Sequence, residues 1–222
     1  MSKRNKPRAP GAGRRAGQRF DAEFGVTTEA TIFLGELDPD ALGASLEYAT
    51  HYDATPIDDF EKLMAATTIA PKDATFVDLG CGLGRIVLLA SRRPFRQVVG
   101  VEFSPALCEV ARENLKRFGA ARLRCPDVRI VCDDAKDYRL PRGAAIVYLF
   151  NPFHGPVLAM VVEALATHAG DLNVIYHTPL GRAAFDQNAA FEIVADHPWG
   201  VVYRNKRSVG TRLTSRLRTS AG

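Results

Sequence analysis

Residues 75–91 read TFVDLGCGLGRIVLLAS. An apolar run meets three glycines at alternate positions, Gly80, Gly82 and Gly84, and a second apolar run follows. Glycine loses more backbone freedom on folding than any other residue, about 0.5–1 kcal/mol relative to alanine inside a regular element. The spacing therefore signals a need for main chain without side chains. TFVDL reads as a buried strand, the glycines as a loop, and the residues from about Gly84 to near Pro94 as a short helix. In an open α/β sheet this first strand–loop–helix is where ligands lie, outside the carboxyl ends of the strands.

The pattern continues outward from that stretch. QVVGVE (97–102) is a second strand, and Ser104-Pro105 opens a helix that Gly119 ends, with Leu107, Val110, Ala111 and Leu115 on one side. DVRIVC (127–132), AAIVYLF (144–150) and LNVIYH (172–177) are further strands, with a helix from Pro156 to about His168 before the last. AFEIVAD (190–196) and GVVYRN (200–205) are separated only by His197-Pro198-Trp199. A parallel crossover needs a dozen or more residues, so this final pair is expected to be an antiparallel hairpin. The fold class expected is α/β: a Rossmann-like, mostly parallel seven-stranded sheet with its last strand antiparallel and helices on both faces. A helical preface is expected over about 20–68. Its clearest piece has Thr55 as cap, Pro56 in the first turn with Asp58 and Asp59, and Ile57, Phe60, Leu63 and Met64 on one face.

A chain of 222 residues with 46% hydrophobic and 24% charged residues fits one globular domain. The net charge of +4 conceals an asymmetry. Residues 1–20 hold seven basic residues and 203–222 hold six, with no acid in either; between them lie 16 basic residues and all 25 acids, a net −9. The organisation expected is a disordered basic arm over 1–20, a domain over 21–206 and a basic tail over 207–222. The arms can serve nucleic acid or an anionic surface, or act only as solubilising tails, and they lack the interleaved aromatics that stack on bases. No apolar run approaches the ~18–20 residues of a membrane helix, and no signal core is present. Cys81, Cys108, Cys125 and Cys132 form no C-x-x-C pair, so buried free thiols in a reducing cytoplasm are expected, with no metal.

Glu102 ends the second strand about 20 residues beyond the loop, where an acid can grip a ribose diol. The dinucleotide fingerprint G-x-G-x-x-G/A fails, because Arg85 stands where the last small residue belongs. The loop therefore suits a ribosyl ligand that lacks phosphates.

VDLGCGLGR followed by GVEFS resembles the first two motifs of class I S-adenosylmethionine-dependent methyltransferases, a likeness extending over about 56–205. The resemblance implies S-adenosylmethionine as cofactor. It implies that Gly80, Cys81, Gly82 and Gly84 border the methionine part, and that Asp78 faces its amino group. Glu102 would take the ribose hydroxyls and Phe103 would flank the adenine. Asp134 would meet the adenine amine, with Asp133 as the neighbouring alternative, and the Ala135 backbone would touch the ring. The fourth strand ends in YLFNPFHG, where Asn151-Pro152-Phe153 resembles the N-P-P-aromatic motif of amino-methylating enzymes with one proline missing. An Asn carbonyl can accept a hydrogen bond from an incoming amine and a phenyl face can stack on it; a plain strand-ending turn is the alternative.

Tyr52 and Thr55, ahead of the glycine loop, are similar to the cofactor-proximal pair of Dot1-like protein-lysine methyltransferases. His154 and His177 are candidate proton acceptors. The function implied is methyl transfer to an acceptor nitrogen, of a protein lysine or another amine. An RNA or DNA methyltransferase using the basic arms and a non-catalytic S-adenosylmethionine-binding module are the alternatives.

Overall fold

The computed structural model describes residues 12–32 and 52–206. Helix α1 (Ala12–Phe24) leads to a two-residue ribbon in which β1 (Thr31–Ile32) pairs antiparallel with β2 (Tyr52–Asp53). Helix α2 (Ile57–Ala65) precedes the main sheet. The sheet is built from β3 (Ala74–Leu79), β4 (Gln97–Glu102), β5 (Val128–Cys132), β6 (Ala144–Phe150), β7 (Leu172–His177), β8 (Phe191–His197) and β9 (Gly200–Asn205). Between them run α3 (Arg85–Ser91), α4 (Pro105–Phe118), α5 (Gly155–Ala166) and the single turn α6 (Ala183–Asp186).

The strands lie in the order β5-β4-β3-β6-β7-β9-β8. All neighbours from β5 to β7 are parallel, whereas β9 runs antiparallel to both β7 and β8. The last strand is inserted between its predecessor and the rest of the sheet, as the short hairpin gap requires. The register pairs His197 with Gly200, which leaves Pro198 and Trp199 as a two-residue turn. Connections from β3 and β6 run to opposite edges, so their carboxyl ends flank a topological switch point.

Strand alternation sorts the core into two layers. Phe76, Val98, Ile146, Ile175 and Val202 face α1–α4, while Val77, Val99, Val147, Val174 and Val201 face α5 and α6. The seven-stranded sheet with helices on both faces is thus observed.

Several local expectations change. Residues 12–20 belong to α1 rather than to a disordered arm, because Phe20 and Phe24 bury their rings against Phe118 of α4. Residues 1–11 and 207–222 of the arms lie outside the described residues. The preface is not wholly helical, since it contains the β1–β2 ribbon, and 33–51 lie outside the described residues. Pro56, not Thr55, occupies the N-cap of α2, and no side chain caps it; the Thr55 hydroxyl instead lies 3.1 Å from that of Tyr148. Val110 faces outward on α4, where Cys108, Asn114 and Phe118 join Leu107 and Ala111 on the buried side. Cys132 is exposed, at the edge strand's end, whereas the other three thiols are buried.

Candidate functional site

The carboxyl ends of β3, β4 and β6 open into a cleft of about 910 Å³, counting its solvent-open mouth. At the end of β3 the chain folds back on β4: the Gly80 and Cys81 amides both donate to the Val101 carbonyl, at 2.8 and 3.0 Å. Gly80 and Gly82 have φ of +79° and +51°. A Cβ at Gly80 would lie 2.5 Å from the Pro152 Cβ, and one at Gly82 would lie 2.1 Å from the Tyr52 ring. The two bare positions therefore let the β6 loop and the N-terminal segment close on the glycine loop. Gly84 has a different task and does not line the cleft: it is the N-cap of α3, and its Cβ would press on Ala111 of α4 at 3.3 Å.

Two carboxyl groups sit at the floor. Glu102 is 4% exposed; one oxygen accepts the Gly82 amide at 2.9 Å and the other the Ser104 amide at 3.0 Å. Its side chain thus fixes the loop and the start of α4 at once. Burial raises its pKa, and the amides of Ser104, Gly82 and Phe103 oppose that rise. Asp78, 3% exposed, is pushed well above the carboxylate range by burial and then by the Glu102 charge. Burial also raises the Cys81 thiol, which leaves it a poor nucleophile.

Phe103, Asp133, Asp134 and Ala135 line one end of the cleft. The Asp134 carboxylate accepts from Lys136, from the ammonium at 2.6 Å and from the amide at 3.1 Å. Tyr52, Asp53, Thr55 and Ile32 form the opposite wall. The Tyr52 hydroxyl donates to the Thr28 carbonyl at 2.8 Å, and burial holds its proton firmly in place. Phe150, Pro152 and Phe153 close the β6 side. Phe153 is largely buried among the α5-side apolar residues, so only part of its ring reaches the cleft.

Asn151 stands between Phe150 and Pro152 in the chain but is not itself among the residues that line the cleft; its φ is +41°. Asparagine tolerates the left-handed region better than most residues. Its Oδ1 accepts from the Tyr176 hydroxyl at 3.2 Å, which itself accepts the Gly181 amide at 3.2 Å. His177 is buried one layer back: Phe150 meets its ring edge-on at 4.4 Å, Asp59 lies 3.5 Å from Nε2 and the Thr178 hydroxyl 3.2 Å from Nδ1. It is placed to pack the strand ends rather than to touch a ligand. His154 is exposed at the N-cap of α5.

Sequence reasoning missed the groups that tie these walls together. Arg85, read only as a mismatch, is 2% exposed and binds Glu29 at 2.6 Å, Thr28 Oγ1 at 2.8 Å and Asp21 at 3.5 Å. Asn114 bonds the Leu83 carbonyl and both main-chain groups of Thr27, each at 2.9 Å. The only available signal for Asn114 was its place on the α4 face that also carries Leu107 and Ala111.

The lining suits an adenosyl sulfonium. Asp53, Asp78, Glu102, Asp133 and Asp134 supply acids, and Arg85, the one basic side chain among the described residues that line the cleft, is committed to its own carboxylates. A phosphate would meet like charge there, whereas a cationic ligand with a ribose diol would not.

A family profile for the methyltransferase domain matches residues 76–169. A release factor glutamine methyltransferase of Vibrio cholerae is 45% identical over 65 residues, 28% of this chain and 23% of that protein. A ribosomal protein L11 methyltransferase of Yersinia pseudotuberculosis is 28% identical over 102 residues, 45% of this chain and 32% of that protein. The chain thus spans only about a quarter to a third of the length of these relatives. A Pyrococcus horikoshii structure, proposed to be an RNA methyltransferase, superposes with a TM-score of 0.52 at 18% identity, over 81% of this chain and 94% of that one. The profile match over 76–169 and the sheet with its inserted reversed strand agree with the resemblance of the two sequence motifs to those of class I S-adenosylmethionine-dependent methyltransferases: this stretch is similar to a methyltransferase domain, and it carries the fold expected of one.

Proposed function

We propose that the chain transfers the methyl group of S-adenosylmethionine to a nitrogen atom, with a protein as the acceptor. Bound in the cleft, the cofactor supplies an activated methyl carbon for in-line displacement. The chain's own work is then alignment, which can lower a barrier by ~7–11 kcal/mol. In this reading Glu102 takes the ribose diol, Asp78 faces the methionine amine, Phe103 flanks the adenine, and Asp134 with Ala135 meets its edge. Gly80, Cys81 and Gly82 leave main chain beside the methionine, and Tyr52 and Thr55 cover it.

The observation that carries the nitrogen assignment is Asn151. It directly follows β6 in a left-handed conformation, and its amide oxygen accepts from Tyr176. Held there, the oxygen accepts an N–H of the incoming acceptor, while Pro152 fixes the turn and Phe153 offers a ring edge. His177 does not serve as a general base in this scheme, because both ring nitrogens already face partners. The names of two relatives point to protein substrates, a release factor and ribosomal protein L11. The acidic lining also favours an amine over a polyanion. The basic residues of 1–20 and 203–222 support a second reading, methylation of RNA.

Methyl-tritiated S-adenosylmethionine should be incubated with the chain and, separately, release factors, ribosomal protein L11, ribosomal RNA and fractionated cell extract. Label in protein, recovered on nitrogen after hydrolysis, is the expected result. Label confined to RNA, or found on oxygen or carbon, would overturn the assignment.

A further inference from the structure

We infer that Arg85 is a positioning residue that makes seating of the 26–29 segment and binding of the cofactor a single event. The inference rests on the S-adenosylmethionine reading of the cleft. Arg85 opens α3 directly after the glycine loop and is among the residues that line the cleft, and its guanidinium is committed to the N-terminal segment. The guanidinium ends in the turn after α1: Nη1 donates to Glu29, Nε to Thr28 Oγ1 and Nη2 to Asp21. Asp21 organises the same turn, taking the Thr28 amide at 2.6 Å, the Thr28 hydroxyl at 2.6 Å and the Glu29 amide at 2.7 Å. Asn114 adds an independent tie, joining Thr27 on both main-chain groups to the Leu83 carbonyl inside the loop.

The seated segment acts on the cleft through Tyr52. Thr28 supplies the carbonyl that receives the Tyr52 hydroxyl, and the Tyr52 ring lies flush on Gly82. Gly82 in turn donates to Glu102. A continuous path therefore runs from Glu29 and Asp21 through Arg85 and Thr28 to Tyr52, Gly82 and the carboxylate assigned to the ribose. Gly17 of α1 belongs to it as well: a Cβ there would lie 1.6 Å from the Glu29 carboxylate and 2.6 Å from Arg85 Nη1. The helix carries no side chain where it crosses the ion pair.

When only the seated form binds, the observed affinity falls by the fraction seated. Arg85→Met removes all three hydrogen bonds of the guanidinium. Gly17→Ala keeps all the charges and a helix-compatible backbone, and displaces only the flexible ends of Glu29 and Arg85, so it serves where Arg85→Met does not fold. Both are compared with the unaltered full chain by calorimetric titration with S-adenosylhomocysteine and by amide hydrogen exchange at Thr27, Thr28 and Glu29, with and without that ligand. The expected result is a Kd for S-adenosylhomocysteine raised roughly ten- to hundredfold in Arg85→Met, the scale of lost charge-assisted hydrogen bonds, and less in Gly17→Ala. Exchange at the three amides should quicken in the apo variants and slow again on saturation. Arg85→Lys should not restore affinity, since one ammonium cannot hold three diverging partners. Unchanged affinity in variants whose three amides exchange freely would overturn the coupling, as would unchanged exchange. Failure of the unaltered chain to bind S-adenosylhomocysteine would overturn the cofactor reading, and the coupling with it.

Discussion

Alanine at position 82 tests the central geometry of the cleft, the contact between the glycine loop and Tyr52. Gly82 has φ +51°, and its added Cβ would lie 2.1 and 2.4 Å from Tyr52 Cδ2 and Cε2. Three costs follow. Holding alanine in the left-handed region takes about 1–2 kcal/mol. Forcing this half-buried ring out of its place takes about 1–3 kcal/mol, the range for overpacked sites. Moving that ring also breaks the Tyr52–Thr28 hydrogen bond, worth about 1 kcal/mol net. Gly82→Ala should thus destabilise the fold by roughly 3–6 kcal/mol, a large share of the ~5–15 kcal/mol typical of a domain.

A double-mutant cycle separates these terms. In a Tyr52→Ala background the ring and its hydroxyl are gone, so Gly82→Ala should cost only the backbone part, about 1–2 kcal/mol. All four proteins would be unfolded by urea at one fixed concentration of trimethylamine oxide, which keeps the double variant folded. The cost of Gly82→Ala should fall by about 2–4 kcal/mol when Tyr52 is absent. Additivity within ~0.5 kcal/mol would show that the ring does not rest on Gly82, and the wall of the cleft would have to be redrawn.

Other perturbations act on the proposed ligand groups. Glu102→Ala strips the acceptor from the Gly82 and Ser104 amides and should weaken S-adenosylhomocysteine binding roughly 10–100-fold by calorimetry; an unaltered Kd would refute the ribose role. Asn151→Gly retains the backbone freedom needed at φ +41° and removes the amide oxygen. It should lower methyl transfer to any acceptor found by roughly 10²-fold, the scale of a misplaced reactant, while leaving cofactor affinity intact; full turnover would remove Asn151 from the acceptor site. Because the folded-state pKa of Asp78 is raised, the native apo protein keeps a proton that the unfolded chain releases near pH 4. Stability from this group is therefore present below that pH and declines as pH climbs toward the folded pKa. The stability difference between the native chain and Asp78→Asn should fall over that window in urea titrations, and a flat difference would show that Asp78 is not a buried, protonated acid.

Chain-local features were legible in the sequence and chain-distant ones were not. The strands around Val77, Val99, Val147 and Val174 announce themselves through runs of apolar residues, and the hairpin through a gap too short for a crossover. Glu102 was found because its distance from the glycines is set by one strand–helix–strand unit. Thr55 misled because a Thr-Pro pair is a good local capping signal, while its actual partner, Tyr148, is 93 residues away. The partners of Arg85 lie 56, 57 and 64 residues upstream, and those of Asn114 lie 31 and 87 residues upstream. No periodicity encodes such contacts; they exist only once α1 has folded back on α4.

The long side chain at position 85 also explains how this loop can depart from the dinucleotide fingerprint and still pack. In that fingerprint the last small residue allows the helix to approach the strand. Here the close approach is made elsewhere. Gly84 meets Ala111 of α4, and Gly100 in β4 leaves room for Val87 and Cys81, to which a Cβ would come within 2.6 and 2.8 Å. Helix α3 therefore sits tightly on β4 without needing a small residue at its first position. Position 85 is released to carry a guanidinium outward, where it fastens the N-terminal segment instead of meeting a phosphate. With Arg85, the one lining cation among the described residues, so engaged, the cleft keeps an acidic interior. The same substitution that spoils the loop for a pyrophosphate thus makes it hospitable to a sulfonium.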